Sequence, residues 1–137
     1  MISYLGSRRN RPSWWSDDEW ASSQKVNTEV LPHYYAAKVE ADEHLAALAK
    51  KRDDGFQAIS LRPGSLTDDA ATGKVSLGRT IARGKVSRAD VADVAGRLLE
   101  RKDTRGWYDL LSGDEDVGEA VERVVKEKID CIEGESQ

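Results

Sequence analysis

The chain has 137 residues with a net charge of −4 at neutral pH and 34% charged residues, the size of one soluble domain at roughly 100–200 residues per domain. That acidic balance argues against a nucleic-acid partner, whose binders carry a basic patch, and no apolar run approaches the roughly 20 residues of a membrane span. One cysteine, Cys131, and two histidines, His33 and His44, leave no internal disulfide and no thiolate-rich metal site. A reducing, cytoplasmic setting without a bound metal is therefore expected.

Met1–Leu5 reads as a short apolar strand, broken at Gly6-Ser7-Arg8-Arg9. Residues 7–30 form a connection long enough to suggest a lid or binding loop. Its tryptophans Trp14, Trp15 and Trp20 are candidates for a substrate pocket or a subunit contact. Arg8-Arg9-Asn10-Arg11 reads as a solvated stretch balanced by Asp17, Asp18 and Glu19, and those acids open a short helix. From Leu31 to Lys51 the pattern is helical, with Tyr34, Lys38, Ala41, Leu45 and Leu48 spaced to share one face. Asp53-Asp54-Gly55 ends it.

Phe56–Leu61 then reads as a compact strand stopped by Arg62-Pro63-Gly64. Residues 65–86 read as loops and short strands around Gly73, Gly78 and Gly84. Ser87 is a helix N-cap with Asp90 at the third helical position, a pattern like a capping box. Val91, Val94, Ala95, Leu98 and Leu99 form the apolar stripe that follows. Trp107–Leu111 is a further strand whose Trp107 and Tyr108 read as core, and Val117, Val121, Val124, Val125 and Ile129 mark a last helix. Alternating strands and helices predict parallel strands joined by right-handed crossovers, an α/β fold. It is read as a single domain over residues 1–132 with a flexible tail at 133–137.

One local pattern carries chemistry. Tyr34-Tyr35-Ala36-Ala37-Lys38 sets a phenol and an ammonium four residues apart on a helix, hence on one face and one turn apart. A neighbouring ammonium favours phenolate, which makes a phenol a usable proton donor or acceptor. The same pair also suits a plain structural role, a ring and a long side chain lying together at a helix surface. Cys131, between Asp130 and Glu133, does not read as a nucleophile, because negative neighbours disfavour thiolate.

Four segments in order extend the pattern: Ile2-Ser3-Tyr4-Leu5-Gly6-Ser7, Tyr34 through Asp42, Ile59 through Thr67, and Val86-Ser87-Arg88-Ala89-Asp90-Val91-Ala92. Together they resemble the short-chain dehydrogenase/reductase superfamily, in its atypical branch of NAD(P)-binding epimerase-like proteins. The resemblance implies Tyr34 as catalytic acid/base and Lys38 as the residue that tunes it and holds the nicotinamide ribose. It also implies Ser3 as the hydroxyl that steadies a substrate carbonyl. Pro63, Gly64 and Leu66 would approach the nicotinamide, and Tyr35 would contact substrate. NAD(P) is the implied cofactor and a small organic molecule the implied substrate.

Members of that superfamily begin with a strand, a glycine-rich turn and a helix that cradle the cofactor pyrophosphate. None of the eleven glycines here forms G-x-G-x-x-G or G-x-x-G-x-x-G. The expected architecture is accordingly a Rossmann-like parallel sheet flanked by helices and lacking that amino-terminal half. An unpaired sheet edge would follow, covered by self-association into a homo-oligomer or by pairing with another sheet. Three functions stay open: an NAD(P)-dependent oxidoreductase, a cofactor-independent isomerase, lyase or cyclase, and a non-catalytic interaction module.

Overall fold

The first strand of the sheet is β1, Ile59–Pro63, every residue of which is buried. The structure, a computed structural model, describes residues 1–52 and 55–135. β5, Gly106–Ser112, pairs with β1 in parallel, matching Ile59 to Gly106 and Pro63 to Leu110. On the other edge of β1 the segment Met1–Leu5 runs parallel to it without forming a regular strand. Ile2 bridges Leu61, Ser3 N–H donates to Leu61 O at 2.8 Å, and Leu5 N–H donates to Pro63 O at 3.0 Å.

Beyond β5 lie β3, Lys74–Gly78, and the two-residue β6, Glu115–Asp116, so the sheet order is β1-β5-β3-β6. The sheet is mixed, not wholly parallel as expected: β1 and β5 run parallel, and β3 runs against both of its neighbours. β2, Ser65–Thr67, and β4, Lys85–Ser87, form a separate parallel pair beside the sheet.

Among the described residues there are four α-helices: α1 at Asp17–Lys25, α2 at Pro32–Lys51, α3 at Arg88–Glu100 and α4 at Val117–Lys126. A five-residue π-helical stretch, Val26–Val30, links α1 to α2. α1 begins on a capping box, Ser16 Oγ accepting from Glu19 N–H while the Glu19 carboxylate accepts from Ser16 N–H. Pro32 opens α2, where its missing N–H costs nothing. Among the described residues no helix is long and apolar enough to cross a membrane. Asp53 and Asp54, expected to end α2, lie outside the described residues. So do 136 and 137 of the expected tail, which is held as far as Glu135 by Arg9 and Asn10 N–H groups donating to that carboxylate.

The two faces of the sheet differ because side chains alternate along a strand. On one face Ile59, Leu61, Tyr108 and Leu110 join Val75, Leu77, Val94, Leu98, Val121 and Val124 in one apolar core under α3 and α4. Each such side chain contributes about 1.5–3 kcal/mol on burial. On the other face Ser60, Arg62, Trp107 and Asp109 point toward α2 and the loop that follows Leu5, in a buried polar layer.

Two helix faces depart from expectation. In α2 the buried residues are Val39 and Asp42, while Tyr34 and Leu48 are exposed. The buried side of this helix carries a carboxylate, so an apolar stripe points the wrong way. In α3, Leu99 is 69% exposed and Val91, Val94 and Leu98 make the core contacts.

Ser87 caps α3 as expected, its Oγ accepting from Asp90 N–H at 3.0 Å. The Asp90 carboxylate does not complete a capping box. It accepts from the N–H groups of Thr72 and Gly73 and from Thr72 Oγ at 2.9–3.2 Å, tying the turn before β3 to the start of α3. Burial pushes its carboxyl up, but those donors outweigh burial and hold it below the usual carboxylate range. Charge-assisted bonds of this kind contribute about 1.5–3 kcal/mol, so Asp90→Ala is expected to cost about that much at neutral pH in urea unfolding. A depressed folded value gives stability that is complete above the unfolded value of about 3.9 and is lost as pH falls through the folded one. The deficit of the variant should therefore shrink as pH drops from about 5 toward 2.5, and a deficit unchanged over that range would refute the assignment.

Candidate active site

Tyr34 and Lys38 sit on the first two turns of α2, beside the segment Met1–Leu5. The Lys38 ammonium stands 5.6 Å from the Tyr34 ring centroid and donates to Ile2 O at 3.0 Å. Tyr34 is 44% exposed, which leaves its phenol open to a ligand. Its other aromatic neighbour is Tyr4, with ring centroids 5.0 Å apart and planes tilted by 50°. The Tyr4 hydroxyl donates to Asn27 Oδ1 at 2.6 Å, and Asn27 Nδ2 donates to Gly6 O at 2.9 Å. Burial raises the Tyr4 phenol well above its ordinary value, with Tyr35 and Tyr34 adding to it. Tyr4 therefore acts as a fixed, neutral hydroxyl. Gly6 is required here because a Cβ on it would lie 2.9 Å from Tyr4 Cε2.

Ser3 is brought elsewhere. Its hydroxyl is buried and donates to Asp42 Oδ2 at 2.5 Å, so the hydroxyl-bearing neighbour of Tyr34 on this segment is Tyr4. Adjacent residues of an extended segment face opposite ways, and the face turned to Tyr34 is the one Ser3 does not occupy. Tyr35 is half-buried, and its hydroxyl donates to Arg8 O at 3.2 Å. Burial raises its phenol too.

The tryptophans expected to line a pocket are packed instead. Trp15 is buried, donates from Nε1 to Thr80 O at 2.8 Å, and forms a small core with Leu5 and Leu111. Trp14 and Trp20 pack against that core, Trp20 tilted on Trp15 at 6.4 Å. Pro63 is buried at the end of β1, and Leu66 on β2 is 42% exposed. Gly64 has a structural reason of its own: a Cβ there would lie 2.5 Å from Gly84 O and 2.5 Å from Leu111 Cδ2.

Beneath Tyr34 and Lys38 lies a polar layer that sequence reasoning missed. Asp42 accepts from Ser3, Ser7 and Ser60 at 2.5–2.7 Å and pairs with Arg62 Nη1 at 3.0 Å. Arg62 also donates to Ser7 O, sets Nε 3.4 Å from Asp109 Oδ1, and lies 3.8 Å over the Trp107 ring. Arg8 completes the set, its Nη2 donating to both Asp109 oxygens at 3.0 and 3.1 Å and its Nη1 to Cys131 O. All four charged side chains are fully buried. This corrects the solvated reading of Arg8, although its neighbour Arg9 is exposed and pairs with Glu43.

The two carboxylates balance two guanidiniums, as buried charge requires. Burial pushes the Asp109 carboxyl up to about 6 against the pull of Arg8 and Arg62, and burial together with Asp109 pushes the Cys131 thiol up to about 12. The layer fixes the exit of Met1–Leu5 and the underside of α2, and so positions Tyr4, Tyr34 and Lys38 from below. Among the described residues no group of three or more His, Cys, Asp or Glu is placed to hold a metal ion.

Residues 1–102 match the NAD(P)H-binding family. A Bacillus subtilis (strain 168) protein, the uncharacterized sugar epimerase YhfK, is 36% identical over 125 residues, covering 90% of this chain and 49% of its own length. The oxidoreductase ylbE from Lactococcus lactis superposes with a TM-score of 0.67 over 91% of this chain and 50% of its own, at 23% identity, a likeness of fold. A Bacillus halodurans protein described as an NAD-dependent epimerase/dehydratase superposes with a TM-score of 0.64 at 27% identity, over 90% of this chain and 50% of its own. The chain thus spans about half the length of each. The sequence match and the shared α/β architecture agree: this chain belongs to the NAD(P)H-binding family.

Proposed function

We propose that this chain forms the nicotinamide-facing and substrate-facing side of a site of short-chain dehydrogenase/reductase type. In this reading it is the carboxyl-terminal half of an epimerase-like or oxidoreductase-like protein acting on a small organic molecule. The observation that carries the reading is the exposed Tyr34 phenol with the Lys38 ammonium one turn away against its ring. Tyr34 gives or takes the proton at a substrate oxygen, and Lys38 offers a donor to a ribose hydroxyl. Tyr4 orders the Tyr34 ring and, through Asn27, the turn at Gly6. NAD(P), when bound, supplies the hydride chemistry.

The fit to that cofactor is partial. The Tyr34 and Lys38 groups suit its nicotinamide-ribose end, whereas no glycine-rich turn in this sequence suits its pyrophosphate. The outer edge of Met1–Leu5 supports a second sheet segment as the source of that turn. Ile2 O faces this open edge and is occupied by Lys38 Nζ. A strand pairing there would satisfy Ile2 O with a backbone N–H and release the ammonium toward a ligand. A second copy of this chain could cover the same edge, giving a homo-oligomer.

Isothermal titration of NADPH and NADH into the chain, with its mass in solution measured alongside, tests the reading. Binding is expected, and Lys38→Ala should weaken it at least tenfold. Tyr34→Phe should leave binding within about twofold and abolish turnover of any substrate found. A well-folded chain that binds neither nucleotide would overturn the dinucleotide site. The missing glycine-rich turn would then favour cofactor-free acid–base chemistry at Tyr34, as in an isomerase, lyase or cyclase.

A further inference from the structure

Beside Tyr34, the fold fixes which way the hydroxyl of Tyr4 points its proton. That hydroxyl donates to Asn27 Oδ1 at 2.6 Å, its one hydrogen bond among the described residues. Burial holds the phenol in its protonated form. An amide side chain can be turned end for end, and its neighbours decide which end faces where. Here Asn27 Nδ2 donates to Gly6 O at 2.9 Å, and turning the amide would set its oxygen against that carbonyl oxygen. Oδ1 therefore faces Tyr4 and takes its proton.

Asn27 is 2% exposed and is the buried residue of the π-helical stretch Val26–Val30, which closes with Leu31 N–H donating to Val26 O at 2.8 Å. Single π-helical turns are rare and occur frequently at functional sites. Tyr4 itself is half-buried, and its ring packs on that of the half-exposed Tyr34. A phenol that has committed its proton to the protein meets a ligand only as an acceptor. A carbonyl or ether oxygen placed beside it faces lone pairs, whereas a hydroxyl finds a partner.

We propose that Tyr4 is a specificity-determining residue that accepts a hydrogen bond from a substrate hydroxyl, with Asn27 the positioning residue that sets this polarity. The assignment rests on the Tyr34 and Lys38 site proposed above. The substrate presents its reacting carbonyl oxygen to Tyr34 and a neighbouring hydroxyl to Tyr4, which names the class as an α-hydroxy carbonyl compound or the corresponding diol.

The test is titration of the chain, carrying 13C at tyrosine Cζ, with α-hydroxyacetophenone and with its methyl ether, α-methoxyacetophenone. The ether keeps the oxygen and loses the donor. The Tyr4 and Tyr34 signals are expected to move saturably while that of Tyr108 stays still, and the hydroxy ketone should bind about tenfold more tightly than the ether, the effect of one hydrogen bond. Tyr4→Phe, which keeps the ring, should bring the two ligands within about twofold. Asn27→Ala should do the same with Tyr4 still present, because the freed hydroxyl can then donate to the ether; a merely structural Asn27 would weaken both ligands alike. If Asn27→Ala does not fold, Tyr4→Phe decides. NADPH titrated in parallel separates this assignment from the reading it rests on. A chain that binds no nucleotide but keeps the preference loses the dinucleotide site and supports the role of Tyr4. No saturable shift with the hydroxy ketone, an ether that binds as tightly, or a preference that survives Tyr4→Phe would each overturn the proposal.

Discussion

Asp42→Ala is expected to cost about 3–5 kcal/mol of folding stability, the range for removing one partner of a buried ion pair. The reason is what it strands. Arg62, fully buried, loses a carboxylate at 3.0 Å, and Ser3, Ser7 and Ser60 all lose the acceptor of their hydroxyls. With an unfolding slope near 2 kcal/mol/M, typical of small domains in urea, the midpoint should fall by about 2 M. That is a large part of the 5–15 kcal/mol a domain has in total. Glu40→Ala, exposed on the same helix, should change stability by less than about 0.5 kcal/mol. If Asp42→Ala does not fold, Asp42→Asn keeps the shape, retains an acceptor for the serines and should still lose about half as much. A loss below about 1 kcal/mol in Asp42→Ala would mean that the buried layer is dispensable.

The same layer marks where sequence reading stopped. α3 was legible because its signals are local: Ser87 as cap, then Val91, Val94 and Leu98 at helical spacing. Tyr34 and Lys38 were legible for the same reason, being one helical turn apart. The Arg8–Asp109 pair joins residues 101 apart, and Asp42 gathers Ser3 and Ser7 from 39 and 35 residues away. No window of sequence contains such pairs. Without them Arg8 looks like one of a run of solvated arginines, and Asp42 like a surface acid on a helix. The site suffered in the same way. Period-2 alternation says that Ser3 and Tyr4 face opposite sides, but only the tertiary pull of Asp42 on Ser3 decides which of them meets Tyr34. The antiparallel course of β3 was hidden too, because its partners lie in β5 and β6, well downstream in the chain.

Gly64→Ala is the second large effect expected, and it separates two reasons for a glycine at the exit of β1. If the position is glycine only to let a nicotinamide approach, a methyl group should weaken nucleotide binding and leave the fold intact. The geometry predicts the reverse emphasis. The added Cβ meets a backbone oxygen, Gly84 O, at 2.5 Å and Leu111 Cδ2 at the same distance, and a backbone atom cannot rotate aside as a side-chain tip can. Gly84 O also accepts from Ser65 N–H at 3.0 Å, the bond that starts the pairing of β2 with β4. Moving Gly84 outward breaks that bond, and moving Leu111 disturbs the core it shares with Leu5 and Trp15. Overpacking of this kind costs typically 1–3 kcal/mol, and the lost hydrogen bond adds about 1 kcal/mol, so a loss of about 2–4 kcal/mol is expected in thermal or urea unfolding. β4 leads directly into the Ser87 cap of α3, so amide exchange should quicken first across residues 65–67 and 84–90. A variant as stable as the parent that binds nucleotide more weakly would assign this glycine to the cofactor rather than to the fold.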